Sequence, residues 1–141
     1  MSEQSEDLKA FIRRWFEEVW NKGREEAIDE MFAEDGVAHG LADETGATLK
    51  GPAGFKPFFR NFRGAFPDIK VIVEDTVAEG DKVAARCTLR ATHAGDSLGF
   101  AATHKPMEIN GIAIVRIRDG KIVEAWNNFD FMSMSRQLGT L

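Results

Sequence analysis

The hydrophobic period of this chain changes once, near residue 68, and this change limits the folds it can adopt. A run of apolar side chains at spacings of three and four extends from Leu8 to Trp20, and a second one extends from Phe55 to Phe66. Such spacing predicts amphipathic helices. After residue 68 the pattern alternates with a period of two, which predicts strands joined by short turns. The strands are predicted over residues 69–78, 82–93, 107–118 and 121–130.

Helices that precede antiparallel strands indicate an α+β fold. We predict a cone-shaped, curved antiparallel sheet wrapped around the N-terminal helices, with an internal pocket at the open end of the cone. A short strand is expected at residues 36–40, a loop at 41–51 and a short helix or tail after residue 130. We expect residues 1–141 to form one domain, because this length suits a single hydrophobic core.

The charge pattern excludes several classes of partner. Lys and Arg number 18 against 23 Asp and Glu, and the two signs are interspersed, so a nucleic-acid partner is not expected. No run approaches the roughly 18 apolar residues of a membrane span, and the acidic start lacks the apolar segment of a secretion signal. With Cys87 as its one cysteine, the chain is expected in the cytoplasm.

Four short stretches, in this order, resemble the SnoaL-like polyketide cyclase family. They are GPAGF at 51–55, THAG at 92–95, DGKI at 119–122 and RQLG at 136–139. The resemblance extends over residues 8–139 and implies the α+β cone that this family shares with nuclear transport factor 2 and ketosteroid isomerase. It also implies intramolecular aldol ring closure on polyketide esters without a cofactor, and assembly into dimers or larger oligomers.

Asp130 is the first candidate for catalysis. The resemblance implies an acid/base role for it, and an apolar environment would raise its pKa toward neutrality. The alternative is that Asp130 caps the helix that follows it, which is a favoured role for Asp. Many family members carry a His five positions before this Asp, where this chain has Ala125.

The histidines are candidates for binding a carbonyl group. His93 ends the apolar face of the strand at 82–93, and the resemblance also implies a His at this strand end. At that position His93 would polarise a substrate carbonyl, or it would simply meet solvent or a backbone carbonyl. His104 lies in the loop at 94–106, and His39 lies on the short strand at 36–40. Each either contacts substrate or lies on the surface. Their spacings of 54 and 11 residues match no metal motif, so no metal and no other cofactor are expected.

Four further residues are predicted to bind substrate in the pocket. Trp15 and Phe59 lie on the helical stripes, and Trp126 and Asn128 lie on the last strand. Alternation along that strand places Asn128 on the face of Asp130, and Asn127 on the opposite face. The chain has no Tyr, so a phenol cannot donate to an oxyanion here.

Two functions remain open from the sequence. The first is a cofactor-independent cyclase that acts on a small apolar carbonyl-bearing molecule, which Asp130 favours. The second is a ligand-binding or scaffold domain without catalysis, which Ala125 favours. Ile112 and Ile114 alternate with apolar residues that face inward, so they lie on the outer face of the sheet. Because apolar side chains there would otherwise meet water, we expect the chain to form a homodimer or a higher homo-oligomer through this face.

Overall fold

The computed structural model describes residues 3–42 and 47–140. The first half contains helix α1 (Glu3–Trp15), a π-helical turn (Phe16–Asn21), helix α2 (Glu26–Met31), strands β1 (Phe32–Ala42) and β2 (Thr48–Lys50), and helix α3 (Gly51–Ala65). The second half contains strands β3 (Lys70–Glu79), β4 (Lys82–Thr92), β5 (Pro106–Arg118) and β6 (Lys121–Phe129), and helix α4 (Phe131–Leu138).

The predicted α+β architecture is confirmed. The described strands form one curved, unclosed six-stranded sheet in the order β2-β1-β6-β5-β4-β3, and α1 and α3 pack on its inner face. One detail differs from the expected antiparallel sheet, because β1 and β6 are parallel neighbours. The other four strand pairs are antiparallel. A parallel pair needs a long crossover, and here most of the chain lies between the two strands.

The helical stripe at the N-terminus packs as its spacing predicts, but its last turn is wider than an α-helix. Leu8, Phe11, Ile12 and Trp15 are buried on one face of α1. The π-helical turn then closes through bonds from i to i+5, which allows Phe16 and Trp20 to remain on the same side. Asn21 ends the turn with two hydrogen bonds to edge strand β3: its Nδ2 donates to the Val71 carbonyl (3.0 Å), and the Val71 N–H donates to its Oδ1 (2.6 Å). These bonds hold the aromatic turn against the sheet.

The region between α2 and α3 is more extended than expected. Strand β1 begins at Phe32, four residues before the predicted strand at 36–40. Strand β2 occupies part of the predicted loop, the remainder of which includes residues outside the described part. A bulge interrupts β1 between Ala38 and Ala42. Gly40 lies in this bulge with φ of +82°, and a Cβ there would stand 1.9 Å from the Asn127 carbonyl oxygen. Glycine is therefore required where β1 passes close to β6.

Candidate ligand-binding cavity

A cavity lies between the inner face of the sheet and the N-terminal and α3 helices. It has an empty volume of about 620 Å³ including the space at its open side, but the centre of a water molecule can occupy only about 50 Å³. Aromatic side chains supply much of the wall, and none of the described residues that line it carries a titratable side chain. The wall consists of Trp15, Phe16, Trp20, Phe32, Leu41, Phe55, Phe58, Phe62, Ile69, Val71, Leu89, Ala113, Val115, Ile122, Ala125, Asn127, Phe129 and Phe131.

Trp20 is the centre of the aromatic wall. Its ring packs against Phe55, Phe58 and Phe62 of α3 with centroid separations of 6.2, 6.1 and 5.9 Å, each edge to face. Trp15 meets Phe55 edge to face at 5.4 Å. These geometries are the ones that aromatic pairs prefer. The cavity is narrow because these rings approach each other, so a ligand with several rings must displace some of them.

Asn127 is the one amide among the described residues of this wall. Its Nδ2 donates a hydrogen bond to the His39 carbonyl at 2.9 Å. The prediction that Asn128 faces the cavity and Asn127 faces away is wrong: Ala125, Asn127 and Phe129 face the cavity, and Asn128 is exposed beside Ile112. The error arose because Asp130 was used to set the alternation, although β6 ends at Phe129.

Asp130 lies outside the cavity wall, as the N-cap of α4. Its Oδ1 accepts a hydrogen bond from the Ser133 N–H at 3.0 Å, and the residue is exposed. The predicted cap is therefore present, and the prediction that Asp130 points into the cavity is wrong because the backbone has left the strand at this residue. Its two neighbours, Phe129 and Phe131, both line the cavity, so Asp130 lies at the rim. Its role in catalysis stays a prediction.

His93 is completely buried and does not reach the cavity wall. Its Nδ1 lies 3.0 Å from both the N–H and the hydroxyl of Thr103. Because a backbone N–H only donates, Nδ1 accepts and the ring proton belongs on Nε2. Nε2 is buried and has no partner among residues 3–42 and 47–140, and the ring packs against Phe66 and Phe100 with centroid separations of 5.5 and 5.0 Å. The predicted position at the pocket mouth is wrong because the 94–105 segment folds over this strand end.

His39 and Trp126 lie on the outer face of the sheet, not in the cavity. His39 Nε2 is 2.7 Å from a carboxylate oxygen of Glu124, and its ring stacks on Trp126 at 6.0 Å. The Arg116 guanidinium lies 5.7 Å from the centre of the Trp126 ring. The predicted substrate contacts of both residues are therefore not supported. Their neighbours Ala38 and Ala125 take the inward positions, so alternation directs His39 and Trp126 outward.

The remaining predicted residues divide between the wall, the core and the surface. Trp15 lies in the cavity wall, and its part in substrate binding stays a prediction. Phe59 is buried behind the wall, where its ring packs 5.3 Å from that of Trp20. His104 is exposed, with φ of +59°. Among residues 3–42 and 47–140 there is no cluster of three or more His, Cys, Asp or Glu side chains arranged to hold a metal.

Sequence reasoning missed Asn127 and most of the α3 contribution to the wall. The spacing of Phe55, Phe58 and Phe62 was visible as a helical stripe, and it could have indicated the wall directly. The Cys87 thiol, on the inner face of β4, is also unreactive. Burial raises the pKa of the Cys87 thiol to about 12, which keeps it protonated and inert.

An α+β fold with an apolar cavity open on one side of a curved sheet is typical of small-molecule-binding domains. A family model described as SnoaL-like polyketide cyclase matches residues 10–138, and the chain belongs to this family. A curated relative, aklanonic acid methyl ester cyclase DauD from Streptomyces sp. strain C5, is 30% identical over 129 residues, which cover 91% of this chain and 79% of the relative.

Solved structures agree with this assignment. IdmH from Streptomyces antibioticus, assigned as a candidate polyketide cyclase, has a TM-score of 0.79 and 33% identity, covering 92% of this chain and 96% of its own. A SnoaL-like protein from Jannaschia sp. CCS1 has a TM-score of 0.87 at 18% identity, covering 100% and 97%, and it supports the fold alone. Within the described residues no helix is long and apolar enough to cross a membrane.

Proposed function

We propose that this chain binds a small, largely apolar carbonyl compound of the polyketide type in its cavity and promotes intramolecular aldol ring closure on it. The observation that carries the proposal is the wall itself. Its described side chains are aromatic and aliphatic apart from the Asn127 amide and two indole N–H groups, so the wall favours a flat, apolar ligand with few polar groups. The family membership supports ring closure as the reaction.

Aldol closure needs few catalytic parts. A base takes the proton from the carbon next to one carbonyl, that carbon bonds to a second carbonyl carbon, and the new alkoxide takes up a proton. The product is an isomer of the substrate, and no redox partner or cofactor is consumed. Asp130 is the proposed base. Its Oδ1 accepts from the Ser133 N–H, and Oδ2 has no partner among the described residues. The support for this role is that its two sequence neighbours, Phe129 and Phe131, both line the cavity.

A second candidate function is binding without turnover. It is favoured by the absence of titratable side chains among the described residues of the wall, and by Ala125 at a position where the family often has His. In this case the cavity would store or present a ligand, and Asp130 would serve only as the helix cap.

One assay separates these functions. Aklanonic acid methyl ester, the compound in the name of the curated relatives, is incubated with the protein, and its ring-closed isomer is resolved by chromatography. We expect turnover that falls at least tenfold in Asp130→Asn, which still caps the helix. Asp119→Asn is the matched control: Asp119 is exposed in the hairpin at the other end of β6, where its φ of +52° suits Asn.

Binding of the ester is measured separately by tryptophan fluorescence, and turnover is interpreted together with it. Binding with no isomer formed supports the second function. Equal turnover in wild type and Asp130→Asn contradicts Asp130 as the base. No binding and no turnover would remove this ester as a ligand, and the cavity is then tested with smaller rings as described next.

A further inference from the structure

We propose that Asn127 selects the ligand by accepting a hydrogen bond from a hydroxyl group on an otherwise apolar ring compound. This inference rests on the proposed function, because it requires a ligand in the cavity. It starts from the polar groups that the wall offers. The indole N–H groups of Trp15 and Trp20 can only donate. Among the described side chains of the wall, the one strong acceptor is therefore Asn127 Oδ1.

The orientation of this amide is fixed by its neighbour. The His39 carbonyl can only accept, so the atom 2.9 Å from it is Nδ2 and the atom on the other side of the amide is Oδ1. The bulge at Gly40 interrupts the β1 pairing just after His39, and the Asn127 side chain satisfies the His39 carbonyl there. Asn127 is thus held by the sheet before any ligand arrives, which reduces the entropy lost on binding.

A held but unsatisfied acceptor in an apolar cavity discriminates strongly between ligands. Oδ1 has no partner among the described residues, and an apolar ligand would cover it without replacing its hydrogen bond to water. A hydroxyl group can donate to Oδ1 and can also accept from the second N–H of the same amide. An ether or a ketone cannot donate. The ligand class that fits is therefore a phenol, an enol or an alcohol on an apolar ring.

The test uses two isosteric single-ring probes, p-cresol and p-xylene, which differ by a hydroxyl in place of a methyl group. Their dissociation constants are measured by calorimetry for wild type, Asn127→Leu and Asn128→Leu. We expect the ratio of p-cresol affinity to p-xylene affinity to fall about tenfold in Asn127→Leu. Asn128→Leu is the matched control, because it makes the same change on the next residue, which faces out of the cavity. Its ratio should equal that of wild type.

An affinity ratio that is unchanged in Asn127→Leu overturns the inference while leaving the proposed function intact. Failure of both probes to bind wild type also overturns the inference, and the proposed function is then decided separately by turnover of the ester. Asn127→Leu leaves the His39 carbonyl without its donor, so the variant can fail to fold. For that case the wild-type protein gives the answer: the side-chain carbonyl carbon of Asn127 should shift in NMR spectra with p-cresol and not with p-xylene. Equal shifts with both probes overturn the inference.

Discussion

The two faces of strand β6 carry side chains of different chemistry. Its inward residues Ala125, Asn127 and Phe129 line the cavity without a charge among them. Its outward residues Glu124 and Trp126 belong to a polar network with His39 and Arg116. Successive residues of this strand therefore lie in different environments. A shift of its pairing register by one residue would move the inward side chains outward and the outward side chains inward.

This difference determines which side chains a ligand in the cavity can contact. Every histidine and Asp130 lie outside the cavity wall, although the sequence suggested them as site residues. The inner face instead offers shape, aromatic surface and one amide. Binding at the cavity is then governed mainly by apolar contact, and ionisable groups can take part only from the rim.

The largest expected effect comes from removing an inner aromatic side chain. Trp15 is 6% exposed and contacts Phe32 and Phe55, so Trp15→Ala should lower the free energy of unfolding by about 3–5 kcal/mol. Trp126→Ala is the matched change on the outer face, where the ring is only partly buried, and it should cost less than about 2 kcal/mol. Urea denaturation measures both values. Equal losses would mean that the two faces are not energetically distinct.

The next effect concerns self-association through the outer face. A row of side chains crosses five strands in register, and it consists of Val77, Ala84, Ile114, Trp126 and His39. Ile112 and Ile114 are 47% and 38% exposed, so we expect this face to be covered by a second copy of the chain.

Ile114→Lys should then reduce the mass in light scattering from twice 15.7 kDa to 15.7 kDa at micromolar concentration. Met132→Lys is the control, because Met132 is exposed on α4 and is not part of the row that crosses the outer face. A wild-type protein that is monomeric under these conditions would refute the expected interface.

A smaller change in the free energy of unfolding is expected at Asp130, the residue that follows the end of β6. Asp130→Ala removes the acceptor for the Ser133 N–H and should destabilise the protein by about 1 kcal/mol. Asp130→Asn keeps an acceptor and should change the free energy of unfolding by less than about 0.5 kcal/mol. Thermal and urea unfolding of the two variants provide the comparison. Equal destabilisation by Ala and Asn would show that charge, and not the cap, is what α4 requires.

The last effect appears only at alkaline pH and concerns Cys87 on the inner face of β4. Burial raises its pKa from the ordinary 9.0 to about 12, so the thiolate forms more readily in the unfolded chain. Its stabilising contribution is complete below pH 9 and is lost as the pH rises toward 12. The free energy of unfolding should therefore fall more steeply above pH 9 in wild type than in Cys87→Ala. Parallel pH profiles would contradict a buried thiol at this position.

Much of the fold could be predicted from the sequence, because periodicity records which side of an element is buried. The stripe that includes Trp15, and the inward set Val83, Ala85, Cys87 and Leu89 on β4, are buried as predicted. The parallel pairing of β1 could not be predicted in this way. It depends on which strand edge remains free after β3 to β6 have paired, and no local pattern records that choice.

The candidate site was harder to predict, because each face of β6 carries both an aromatic and an amide side chain. Trp126 and Phe129 point in opposite directions, so hydrophobicity alone does not choose the inner face. The end of the strand at Phe129 and the bulge at Gly40 decide it, and both are properties of the backbone. His93 was misplaced for a similar reason, since the pattern of β4 does not reveal that residues 94–105 cover its end.

If ligands bind on the inner face and leave the outer face untouched, the three tryptophans should report it, because two of them line the cavity and the third lies outside. Their indole N–H signals in a ¹H–¹⁵N NMR spectrum, assigned with single Trp→Phe variants, are followed during a titration with p-cresol. Binding in the cavity should give saturable shifts for Trp15 and Trp20, which line it, and a constant signal for Trp126. A titration that shifts Trp126 while Trp15 and Trp20 stay constant would contradict it.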